Sequence, residues 1–175
     1  MCLSATHVAW GTVRLEPVWM QVGESAGLAA ALALKDNTTP AGLNPNRLVR
    51  QLCELRSAVT CFNDVDVTST EPWVPAVQYF GTKGFFHDYN ARLSDGLKRA
   101  TAKAWSGGFA RLLRGDLDPN QLARAVAEAE DGGGGEITAG EFAAMLPKAP
   151  KTRAIEPGAI VSRGLAMELL YSLLP

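Results

Sequence analysis

Between Val22 and Leu34 the chain reads VGESAGLAAALAL, with Gly23 and Gly27 four residues apart and Ala26, Ala30 and Ala31 beside them. Side chains this small leave a surface that another backbone or a flat ring can approach closely. If a helix begins near Gly23, its unpaired N–H groups and the positive end of its dipole form a seat for an anionic group. Glu24 and Ser25 suit such a first turn, the acid favouring the dipole and the serine capping. Tight helix packing uses the same small residues, so the run alone allows both readings.

Three residues upstream bear on the same chemistry. An imidazole titrates near neutrality, which suits His7 to proton transfer as well as to a structural hydrogen bond. Arg14 and Glu16 are two apart, so on an extended backbone they share a face, where they either pair or contact a bound group. His7 and Arg14 are the catalytic candidates. Farther on, EDGGGGEITAGE has the outline of a calcium loop, with Gly135 at the turn, Ile137 at the apolar position and Glu141 at the last ligand. Glu130, Gly132 and Gly134 fill the early ligand positions, so two of three oxygen donors are missing for an ion that takes about six to eight oxygens. We read a glycine-rich turn before a capped helix and expect no metal. Cys2, Cys53 and Cys61 lack metal spacing; an oxidising compartment would allow Cys53 and Cys61 to pair, but three scattered cysteines read as buried thiols.

The elements that position these residues follow from local signals. THVAWGTVRL alternates and carries β-branched and aromatic residues, which predicts a short strand or two. Glu16-Pro17 sets a boundary, and residues from about Val18 to Leu34 read as a helix. Asn44 is the expected N-cap of a second helix with Pro45 in its first turn and Leu48, Val49, Leu52 and Leu55 at helical spacing. Trp73, Val77 and Phe80 form one helical stripe ended by Gly81 or Gly84. A further helix over 95–113 places Leu97, Ala100, Ala104 and Trp105 inward, with Gly107-Gly108 as a weak point. Three segments share the plan of a short lead and an amphipathic helix: LSDGLKRATAKAWSGGFARLL, EITAGEFAAMLPKA and AIVSRGLAMELLYSLL. Thr138 and Ser162 are natural N-caps, and Glu141 completes a capping box with Thr138. Such repetition predicts helical units around a shared core.

The totals bound the class. With 175 residues, 47% hydrophobic and 20% charged, the chain has an ordinary globular composition. A net charge of −1 gives no electrostatic reason to expect nucleic acid or an anionic membrane surface as partner. The longest apolar run, Leu28 to Leu34, is far short of the roughly 20 residues that span a bilayer. MCLSATHVAW lacks a basic stretch followed by an apolar core, so no secretory signal is read there.

LSATHVAWGTVRLEPVWMQVGESAGLAAALAL resembles the closing segment of FAD-dependent oxidoreductases. The residues that carry the likeness are Ser4, Ala5, His7, Arg14, Glu16, Pro17, Met20, Gly23, Ala26 and Gly27. The resemblance covers roughly residues 2–56 and implies that the helix start approaches a flavin, with Arg14, Glu16, Gly23, Ser25, Ala26 and Gly27 contributing to the cofactor site. A flavoprotein of this kind also needs a Gly-x-Gly-x-x-Gly turn after a strand, with an acid about 20 positions on. No such motif occurs, and GGGG at 132–135 follows no buried strand. The expectation is therefore a C-terminal piece that binds FAD only together with a missing nucleotide-binding domain or chain.

From Phe62 onward the sequence resembles S-layer-homology modules through Phe62, Asp64, Val65, Trp73, Val77, Gly84, Arg163 and Leu165. Ala139 stands where the middle repeat of such modules has a basic residue. The resemblance implies attachment to a cell-wall polymer. The sequence thus predicts a mainly α fold: a short N-terminal β element and a Gly/Ala-rich helix ending an α/β FAD-binding domain over 1–61, then a helical accessory domain over 62–175. Its expected role is the C-terminal part of a flavin-dependent oxidoreductase. The alternative is a helical binding or anchoring module without catalysis.

Overall fold

The computed structural model describes residues 4–148 and 156–175. The fold is mainly helical, as the sequence predicts, and divides into two compact units, 1–57 and 58–175.

In the first unit, α1 (His7–Val13) and α2 (Glu16–Lys35) follow one another, and α3 (Pro45–Glu54) packs on α2. The predicted strand over THVAWGTVRL is instead α1. Thr6 caps it by accepting from the Ala9 N–H at 3.2 Å, and Trp10 lies edge-on to Trp19 of α2 with centroids 5.7 Å apart. A lone strand here would have no described partner, whereas a helix satisfies its backbone within itself. Pro17 stands in the first turn of α2, where its missing N–H costs nothing. Asn44 caps α3 as predicted, accepting from the Asn46 N–H at 2.9 Å. Leu32 and Ala33 of α2 and Leu52 and Cys53 of α3 are the buried residues of these helices. Arg47 of α3 binds Asp36 at the end of α2, and the Ser57 hydroxyl donates to Glu24 at 2.5 Å.

The second unit is built on a closed ring of three backbone hydrogen bonds. Leu97 donates to the Val161 carbonyl at 2.8 Å, Val161 to Ile137 at 3.1 Å, and Ile137 back to Leu97 at 3.0 Å. All three side chains are fully buried. A helix leaves the ring after each: α5 (Arg99–Arg114), α7 (Ala139–Ala144) and α8 (Arg163–Ser172). The turn after the ring repeats as well, since Arg99, Ala139 and Arg163 donate to the carbonyls of Gly135, Ala159 and Asp95 at 2.8–3.0 Å. The three leads singled out in the sequence therefore meet at one point. Thr138 and Ser162 cap as expected, and Thr138–Glu141 forms the full capping box.

Two further helices cover this centre. α4 (Val74–Gly81) packs on α8, and α6 (Pro119–Asp131) packs on α5. α5 begins at Arg99, later than the sequence suggests, because residues 96–98 are held in ring bridges. It runs unbroken through Gly107-Gly108, and Gly108 has a packing reason: a Cβ there would meet Leu122 of α6 at 2.6 Å. Trp105, Phe80, Phe85, Phe109 and Phe142 fill the core, with the Trp105 indole N–H donating to the Phe85 carbonyl at 2.7 Å.

Candidate functional site

The first candidate site follows α2. This helix starts at Glu16, so Gly23 lies two turns inside it rather than at its N-terminus. The anion seat expected at Gly23 is corrected on this point: helical N–H groups this far in are committed to the i→i−4 ladder. What Gly23 and Gly27 offer instead is an open face, since a Cβ at either would meet nothing within 4 Å. Met20, Gly23, Gly27, Ala30 and Leu34 recur at steps of three and four, which puts them on one side of the helix. All five are exposed.

The other predicted site residues spread along the same two helices. His7 opens α1 and Arg14 closes it, both exposed, while Glu16 opens α2. Arg14 and Glu16 form no ion pair among the described residues. Ala26 is exposed on α2, and the half-buried Ser25 hydroxyl donates to the Gln21 carbonyl at 2.8 Å, one turn back. Arg14 and Glu16 therefore both stand at the α1–α2 junction, with the Gly23–Gly27 stretch two to three turns farther along α2 and His7 at the opposite end of α1.

A second site lies within the other unit, and the sequence alone did not mark it. A cleft of about 330 Å³ is lined by His87, Arg92, Asp95, Gly96, Lys98, Glu130, Asp131 and Arg163. At its floor the Arg163 guanidinium donates to the Ala91 carbonyl at 2.8 Å and to Glu130 Oε1 at 2.7 Å. It lies 5.0 Å from the centroid of Trp105 and 5.7 Å from that of Phe86, a stacked cationic arrangement. Arg92 donates to Glu130 Oε2 at 2.9 Å and also binds Asp88. The Asp88 carboxyl is held below the usual carboxylate range: burial opposes its ionisation, and the Asn90 N–H, Arg92 and His87 outweigh that. Arg163 and Glu130 each stand out in the sequence for other reasons; the rest of the cluster comes from distant positions.

Asp64 has a structural task. Its two carboxylate oxygens accept from the N–H groups of Ala91 and Arg92 at 2.8 and 2.7 Å, which fixes the loop that carries Arg92. The calcium-like outline resolves in the same way. Glu130 is taken by two arginines, and Glu141 by the Thr138 N–H and Arg99.

In comparisons with known proteins, the family described as FAD dependent oxidoreductase matches residues 1–52. The matched stretch lies within the first unit and contains all ten residues of the flavoprotein resemblance. The N-terminal segment is thus FAD-dependent-oxidoreductase-like. No curated protein and no solved structure matches the chain. Among the described residues, no helix is long and apolar enough to cross a membrane.

Proposed function

We propose that residues 1–61 are the closing segment of an FAD-dependent oxidoreductase and that residues 62–175 form its helical accessory domain. The observation that carries this reading is the coincidence of the family match over 1–52 with the uncovered Gly/Ala face of α2. An exposed face of small residues fits close approach by a flat ring or by the nucleotide-binding domain that holds it. The bound flavin would supply hydride transfer at its N5. The chain's own share is positional: Gly23, Ala26 and Gly27 allow the approach, while Arg14 and Glu16 present charge at the α1–α2 junction. His7 is the proton-transfer candidate at the start of α1. These residues hold no pyrophosphate turn, so the 175-residue chain alone binds FAD weakly or not at all.

The test is flavin fluorescence quenching on this chain and on the longest form encoded upstream. Binding by the long form only supports the reading. If no upstream Gly-x-Gly-x-x-Gly sequence exists, in frame or on a neighbouring chain, and the short form ignores FAD, the reading falls.

The likeness of the second unit to S-layer-homology modules, together with its charged cleft at Arg163, favours a second reading as an anchoring module on a cell-wall polymer. Retention of the chain on isolated polymer in a pull-down would support it, and passage without retention would dispose of it.

A further inference from the structure

The charged cleft holds an arrangement around Glu130 that the flavin reading does not use and the anchoring reading leaves unexplained. The two oxygens of the Glu130 carboxylate are held by different arginines, Oε1 by Arg163 and Oε2 by Arg92. His87 Nδ1 lies 3.7 Å from Oε2, and the Lys98 ammonium donates to the Glu130 main-chain carbonyl at 3.2 Å. Asp88 neutralises part of Arg92, while Asp95 and Asp131 also line the cleft. Two guanidiniums, that of Arg92 from the loop before α5 and that of Arg163 on α8, thus converge on one carboxylate, beside an open cleft of about 330 Å³.

The two sides of this contact differ in how firmly they are held. Arg163 is tied to the Ala91 carbonyl and stacked against two buried aromatic rings, and Asp64 fixes the backbone at Arg92. Glu130 instead sits one residue before the end of α6, which runs into Gly132–Gly135. Gly133 and Gly134 have φ of +70° and +114°, a backbone region that glycine enters freely. A helix end followed by such a run gives way at lower cost than a stacked guanidinium does.

We propose that this cleft is an anion-binding site whose resting occupant is the chain's own Glu130. An external carboxylate or phosphate group enters when the last turn of α6 releases Glu130. The contact is thus self-inhibitory, and affinity for the external anion is reduced by the fraction of molecules in which Glu130 is seated. The inference depends on neither functional reading, because it concerns the second unit's own side chains.

The experiment titrates the 175-residue chain with inorganic phosphate at constant ionic strength, following the NMR signals of the Arg92 and Arg163 Nε–H groups. Glu130→Gln is expected to lower the half-saturating phosphate concentration roughly tenfold or more relative to the unsubstituted chain. Adding Arg163→Gln to it is expected to abolish the response. Equal half-saturation in the chain and in Glu130→Gln overturns the proposal, as does a natively folded Glu130→Gln that shows no response. If Glu130→Gln loses its near-UV circular dichroism, Glu130→Asp takes its place. That variant withdraws the carboxylate by one methylene and keeps the charge. A phosphate affinity above that of the unsubstituted chain supports the proposal, and an unchanged affinity overturns it.

Discussion

Ile137 donates its backbone N–H to the carbonyl of Leu97 at 3.0 Å, and through Val161 that bond becomes part of a closed ring. Each member is a single residue of extended chain, too short to be a strand in its own right. The ring persists because its three side chains are fully buried and each hands the chain to a helix. Burial and backbone pairing therefore depend on each other. Ile137→Ala should cost about 2–5 kcal/mol, the usual range for truncating a buried aliphatic side chain. Urea denaturation followed by Trp105 fluorescence measures it, and a loss below about 1 kcal/mol would mean that the ring is not the centre of this unit.

The two adjacent glycines of α5 should respond with opposite signs. Gly107 is open, and alanine there gains up to about 1 kcal/mol from helix propensity alone. Gly108 faces Leu122, so Gly108→Val forces α6 away from α5 and should cost about 1–3 kcal/mol. Thermal melts of the two variants side by side provide the check. A Gly108→Val protein as stable as its parent would show that α6 yields freely.

Breaking the buried pair and replacing it should differ in the same informative way. Arg163→Ala leaves Glu130 without one of its two arginines and removes the bond to the Ala91 carbonyl. The expected loss is about 3–5 kcal/mol. Replacing both partners with Met should cost less than the single change, because the half-paired Glu130 carboxylate is removed together with its arginine while Arg92 keeps Asp88. A double-mutant cycle by denaturant titration settles the comparison.

Asp88 sets a pH dependence with a definite sign. Its carboxyl titrates below the ordinary value when folded, so its contribution is complete above about pH 4. That contribution is lost as pH falls through the folded value. Asp88→Asn should therefore lower stability at pH 6 and flatten the decline on the acid side of about pH 4. Denaturation midpoints across that range test this, and an unchanged acid slope would remove Asp88 from the account.

What could be read in the sequence was local. Asn44, Thr138 with Glu141, and Ser162 cap the helices they were expected to cap, because a capping side chain and its target lie within three residues. Alternation misled over THVAWGTVRL, since a period of two carries no information on whether a partner strand exists. α6 went unread although Asp118 and Pro119 are a standard start, Asp118 accepting from the N–H groups of Asn120 and Gln121. The neighbouring glycine run drew the calcium comparison instead. The cleft could not be read at all. Arg92, Glu130 and Arg163 meet only once the ring closes, and none has a neighbour in sequence that betrays the others. In the first unit the family-like stretch over residues 1–52 is legible as a resemblance. Pro17 puts the helix start near Val18 in the sequence, within two residues of the observed Glu16, and the anion seat fails because it requires a start at Gly23.

That placement makes Gly27 the most direct probe of the flavin reading. Nothing lies within 4 Å of a Cβ at this position, and the residue sits inside a continuous helix. Gly27→Ala should therefore raise the helical stability of the 175-residue chain, by up to about 1 kcal/mol. Gly27→Leu should leave that chain folded, because its larger side chain projects into open space. On the proposed flavin reading, in a longer form that carries a nucleotide-binding domain the same leucine stands between α2 and that domain, and FAD retention should fall. Circular dichroism on the short chain and flavin quenching on the long form separate the two effects. A long-form Gly27→Leu protein that holds FAD as tightly as its parent would mean that the small-residue face of α2 lies away from the flavin domain, and the positional role given to Gly23, Ala26 and Gly27 would be lost with it.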